Sequence, residues 1–142
     1  MSFNEIGTIQ PQYAIESWIR FQELENIPLL FLDTWMKKDG KFGPEAQFIV
    51  AVPGKKEAKV LGSSVTNKLL VRKLAASAER GDLPLFGMFV REESNKSESG
   101  FFWNLIDATV TRAQVALIDK AVDAAKAQAA QDASSLPSEL PF

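Results

Sequence analysis

The chain contains no cysteine and no histidine. The first absence excludes a disulfide framework and thiolate metal ligands, and it suits a reducing compartment. The second removes the side chain on which general base catalysis near neutrality, Ser-His and Cys-His nucleophiles and most zinc sites depend. Carboxylates remain, but no paired carboxylates sit on an apolar strand. The nearest candidate, Glu92-Glu93, opens the polar stretch EESNKSESG, which reads as a solvated loop. A protein that is not an enzyme and needs no cofactor is the expectation, with a metal-carboxylate nuclease as the remote catalytic alternative. Long hydrophobic runs are also lacking: no window reaches the ~18 apolar residues of a membrane span, and the start MSFNEIG has neither the basic nor the apolar region of an export signal. A cytoplasmic protein with no membrane partner is therefore expected.

What the chain does have is enough apolar residues for one core. Its 142 residues are 46% hydrophobic and 24% charged, which fits one domain with appendages. The net charge of -2 conceals an uneven distribution. Residues 1–26 carry one base and four acids, residues 27–91 eleven bases and six acids, and residues 92–142 four bases and eight acids. A basic middle between acidic ends fits a polyanion-binding body flanked by segments of opposite sign.

The pattern of residues sets an order of elements. Residues 27–36, IPLLFLDTWM, are followed by the turn signal KKDGKFGP and by EAQFIVAV, which alternates with period two. In that second strand Ala46, Phe48, Val50 and Val52 share the face expected to enter the core, opposite Glu45 and Gln47. Pro53-Gly54 marks a second turn, and KVLG supplies a third strand. Val65, Leu69, Leu70 and Leu74 then recur at helical spacing, with alanines alongside and Gly81 as a stop, so a helix is expected from about Thr66 to Arg80. LFGMFVRE and FFWNLIDA read as a last hairpin. The order β-β-β-α-β-β is that of a mainly β, five-stranded OB-fold barrel. The domain is expected over residues 1–110, with 1–26 as an extension in which Tyr13, Ile15 and Trp18 belong to a short strand or helix. A C-terminal helix over 111–131, with Thr111 and Gln114 as a capping box, is expected to pack on the barrel or on a second subunit through Val115, Ile118, Val122, Ala125 and Ala129. Residues 132–142 are polar and aperiodic, and are expected to form a flexible protein-interaction tail.

Binding a nucleic-acid single strand needs aromatic faces for bases and cations for phosphates. In the first strand, parity places Asp33, Trp35 and Lys37 opposite Leu30, Leu32 and Met36. Trp35 thus stands on the polar side, beside Lys37, Lys38, Lys41 and Phe42. Trp35 and Phe42 are candidates for stacking, or else cover one end of the barrel. Lys55, Lys56 and Lys59 are expected to continue the positive track, Arg91 to lie near it, and the two hairpin loops to line a groove. Lys68, Arg72 and Lys73 read as a solvated helix face. Trp103 is a stacking platform or a packing residue, and Phe102 has a core role by parity.

On these residues, above all the stretch KDGKFGPEAQFIVAV and the element order over residues 27–108, the chain resembles a bacteriophage-type single-stranded DNA-binding protein. The ending Glu139-Leu140-Pro141-Phe142 is similar to the C-terminal tip of bacterial single-stranded DNA-binding proteins, although it has Glu139 and Asp132 where that family has a run of acids. The resemblance implies sequence-independent binding and protection of single-stranded DNA in replication or recombination, in the host cytoplasm if phage-encoded. It also implies capture of replication or recombination proteins by the tip, and a homo-oligomer, dimeric or higher. A protein-interaction or assembly module on the same barrel, or an RNA-binding protein, is the alternative.

Overall fold

Alternation between apolar and polar side chains lets one face of each segment enter a shared core. The computed structural model, which describes residues 12–37, 43–96 and 98–135, follows the expected order of elements. Strands β1 (Leu29–Lys37), β2 (Glu45–Pro53) and β3 (Ala58–Val65) form a meander and lead into helix α1 (Lys68–Arg80). Strands β4 (Leu85–Glu93) and β5 (Phe101–Asp107) form a hairpin, and helix α2 (Arg112–Ser135) follows. All strand pairs are antiparallel, in the spatial order β3-β2-β1-β4-β5. The fold is mainly β with a C-terminal helix. Among the described residues β3 and β5 are edge strands that do not pair with each other, so the sheet is open.

Other elements occupy those edges. Along β3, Glu16 N donates to Val60 O at 2.9 Å, Ile19 N to Gly62 O at 2.9 Å, and Gly62 N to Ser17 O at 3.0 Å. The 3-10 turn Phe21–Leu24 then drops Phe21 and Leu24 into the core, and Asn26 N reaches Phe89 O of β4 at 2.8 Å. Residues 16–26 thus run from β3 to β4. At the other edge, Lys73 Nζ of α1 donates to Asn104 Oδ1 at 2.6 Å and to Leu105 O of β5 at 2.9 Å. Lys73 is therefore a tie between α1 and β5, not part of a solvated face, while Lys68 and Arg72 are exposed as expected.

Two hydrophobic clusters lie on opposite faces of the sheet. The inner one holds Phe31, Phe48 and Phe89, all fully buried with ring centroids 5.5 to 5.6 Å apart, together with Leu70 and Leu74 of α1. Helix α1 is aimed there by its ends: Asn67 Oδ1 accepts from Leu69 N at 3.0 Å and from Leu70 N at 3.3 Å, and Gly81 closes the last turn at φ 70°. The outer cluster joins Leu32, Ile49, Ala51, Ala58 and Val60 to Tyr13 and to Ile118 and Ala125 of α2. Of the two packings expected for the C-terminal helix, this is the one on its own domain. Its start carries the expected reciprocal cap, Gln114 N donating to Thr111 Oγ1 at 3.1 Å and Thr111 N to Gln114 Oε1 at 2.9 Å. The helix continues to Ser135, past the expected end at 131.

Candidate functional site

The outer face of the meander changes character along its length. On β2 the outward residues are Glu45 and Gln47, half-buried, then Ile49 and Ala51, fully buried. On β3 they are Ala58 and Val60 in the outer cluster, then Gly62 and Ser64. β1 runs from Leu30 and Leu32 to Asp33, Trp35 and Lys37. On β2 and β3 the apolar half lies under α2, with Leu32 of β1 in the same cluster, and the polar half lies beyond it.

The β1 pattern corrects the parity expected from the sequence. A bulge between Phe31 and Asp33 sets Phe31 opposite Val50 but Asp33 opposite Ile49. One extra residue reverses the alternation after it. Leu30 and Leu32 therefore share the outer face with Asp33, Trp35 and Lys37 instead of opposing them. Trp35 does stand on a polar surface, as expected.

There the indole is held in place. Trp35 Nε1 donates to Gln47 Oε1 at 2.7 Å, and Gln47 Nε2 donates to Glu45 Oε2 at 3.0 Å. Trp35 remains 36% exposed. Lys37, opposite Glu45, is exposed at the end of β1. Lys38, Lys41 and Phe42, expected to join them, lie outside the described residues, as does the tip Glu139, Leu140, Pro141 and Phe142.

Other expected site residues are not brought together with Trp35. Lys55 and Lys56 are exposed in the β2–β3 turn, and Lys59 is exposed opposite Val52. Seven residue steps along β2 separate Val52 from Glu45, on the order of 24 Å at strand rise. Among the described residues, Lys37 at the end of β1 and the lysines of the β2–β3 turn therefore sit at opposite ends of β2. Arg91 is on β4, where its Nε meets Glu25 Oε2 at 2.6 Å and its guanidinium lies 5.1 Å from the Phe101 ring centroid and 5.7 Å from that of Trp103. It is paired and stacked within the protein.

In β5 the structure takes the packing alternative for Trp103 and turns Phe102, expected in the core, to the other face. Trp103 opposes Arg91 and packs against the inner core, 4.9 Å from the Phe21 centroid in an edge-on contact. Phe102, with Ile106, takes the other face, and Ile106 is 38% exposed. Both faces of this short strand carry aromatics, so alternation alone gave no direction.

One aromatic was not singled out as a binding residue from the sequence. Trp18, in the segment along β3, is 54% exposed, with its ring over Gly62. Its segment has no periodicity to announce a strand, and the available signal was only a Trp beside polar residues.

Among the described residues no three His, Cys, Asp or Glu side chains are grouped to hold a metal ion, and no helix is long and apolar enough to cross a membrane. Comparison with protein-family models returns no match, and neither do searches of curated proteins and of solved structures.

Proposed function

We propose that this protein binds single-stranded DNA without sequence specificity on the open, polar half of the outer face of β1, β2 and β3, and protects it during replication or recombination. The observation that carries the reading is that half-face itself. A helix covers the apolar half of β2 and β3 and stops short of a surface bearing a fixed, exposed indole with a lysine beside it. A π-face accepts any base, and lysine meets phosphate without reading sequence. The order β-β-β-α-β-β and the pairing of β1 with both β2 and β4 support an OB-type relationship, in which the face of the second and third strands binds oligonucleotides. The similarity to phage-type single-stranded DNA-binding proteins points the same way, and on that similarity the C-terminal tip recruits replication or recombination proteins.

The test is binding of fluorescent oligo-dT, duplex DNA and RNA at two salt concentrations, with Trp35→Ala alongside. Preference for oligo-dT, a steep salt slope and a loss of about 1 to 3 kcal/mol in the variant, at little change in melting temperature, are expected. If oligo-dT does not bind at all, the face belongs to a protein-interaction module. Equal affinity for RNA moves the reading to RNA. Unchanged affinity in Trp35→Ala removes the half-face from the site.

A further inference from the structure

We infer that Trp18 is a second stacking platform for the same single strand, so that the bound chain crosses β1, β2 and β3 obliquely from Trp35 to Trp18; this rests on the single-strand reading of the half-face. A Cβ built on Gly62 would meet Trp18 Cδ2 and Cε3 at 2.9 Å and Cε2 at 3.0 Å. The indole therefore lies against bare backbone, in a seat that only glycine provides. The backbone holds it there from both sides. Ser17 O accepts from Gly62 N, Ile19 N donates to Gly62 O, and Ser63 Oγ donates to Ile19 O at 2.6 Å. These bonds already cover the β3 edge, and Ile19 and Phe21 already turn into the core. Neither task needs an indole. With one side against Gly62 and 54% of the residue exposed, the ring presents its other side to solvent.

Register places the two indoles on one surface. Gly62 opposes Ile49, Ile49 opposes Asp33, and Trp35 lies two residues further along β1. Two strand spacings of ~4.8 Å across and two residue steps of ~3.4 Å along put the anchoring Cα atoms of Gly62 and Trp35 about 12 Å apart. Four or five bases at the stacked rise of ~3.4 Å cover that distance. Gln47 and Ser64, half-buried and opposite each other in register, continue the row of Trp35 across the same face, with Ser64 two residues from Gly62.

The test uses full-length protein and oligo-dT of three, eight and fifteen nucleotides. Trp18→Leu keeps an apolar cover on Gly62 but has no π-face, whereas Trp18→Phe keeps one. For the eight-nucleotide probe, Trp18→Leu is expected to lose roughly 5- to 150-fold in affinity, with Trp18→Phe close to wild type and melting temperatures alike. The loss is expected to shrink for the three-nucleotide probe, which cannot reach both rings. In a Trp35→Phe/Trp103→Phe protein, Trp18 is the sole tryptophan, and its emission is expected to quench on addition of oligo-dT. Absence of quenching, or equal affinity of the Leu and Phe variants, overturns the inference. If Trp35→Ala still weakens binding in that case, the single-strand reading stands without Trp18. If wild-type protein does not bind oligo-dT, the reading fails and the inference falls with it.

Discussion

Ile118 is the largest fully buried side chain by which α2 holds the outer face, and shortening it measures how firmly the helix is docked. The side chain is fully buried in the cluster of Tyr13, Leu32, Ile49, Ala51 and Val60. Ile118→Ala removes three carbons, a transfer loss of about 2.4 kcal/mol at ~0.8 kcal/mol per buried group. The cavity adds to this to the extent that the helix cannot settle. Ala51 and Ala125, both buried there, already bring helix and sheet backbones close, which limits settling. A cost of about 3 kcal/mol follows, inside the range of ~2 to 5 kcal/mol for such truncations. For a chain of this size that is a fall in melting temperature of roughly 10 °C. The assay is thermal unfolding followed by circular dichroism, with exposed Asp119→Ala as a control expected within ~0.5 kcal/mol of wild type. A change below ~0.5 kcal/mol in Ile118→Ala would refute docking of α2 through this side chain.

Two further outcomes are expected. Neutralising Lys55, Lys56 and Lys59 together should leave affinity for an oligo-dT of four nucleotides within about twofold of wild type, while lowering it for a strand long enough to span the ~24 Å between the two ends of β2; equal losses at both lengths would mean that the lysines act together after all. Deleting Leu140, Pro141 and Phe142 should leave DNA affinity unchanged and abolish capture of replication or recombination proteins in a pull-down on saturated single-stranded DNA, and full capture by the truncated protein would remove the recruiting role.

Much of the fold was legible because its signals are local. The alternation of Ala46, Phe48, Val50 and Val52 against Glu45 and Gln47 gives the correct inward face of β2. Thr111 and Gln114 form the reciprocal cap that their spacing suggests. The failures have non-local causes. The bulge at Leu32 has no glycine or proline to mark it, and it reverses the alternation for the five residues that contain Trp35. Phe101, Phe102 and Trp103 are adjacent aromatics, and the contact that Trp103 makes in the core is with Phe21, 82 positions before it. Trp18 owes its place to parallel pairing of an aperiodic segment with Gly62, which no window of sequence can register. One missed signal was present. In EAQFIVAV the face opposite the core reads Glu45, Gln47, Ile49, Ala51, and that change from polar to apolar marks where α2 ends its cover.

That change also bears on why the two indoles are exposed. Leu30, Leu32, Ile49, Ala51 and Val60 left open would make a contiguous apolar patch, and α2 removes it. The inner cluster shows that this chain packs aromatics fully when packing is their role, since Phe31, Phe48 and Phe89 are each completely buried. Trp18 and Trp35 are treated differently. One is held by the backbone bonds of its neighbours Ser17 and Ile19 and the other by its indole nitrogen, and both stay at least one-third exposed on the same face. Isolated exposed hydrophobics need no explanation, but two rings on one face, with anchoring Cα atoms about 12 Å apart, are not isolated. On the proposed reading, the partner brings flat, apolar faces to the two rings and polar groups to Gln47 and Lys37. On the single-strand reading proposed above, splayed bases supply such faces and the phosphates that link them meet Lys37.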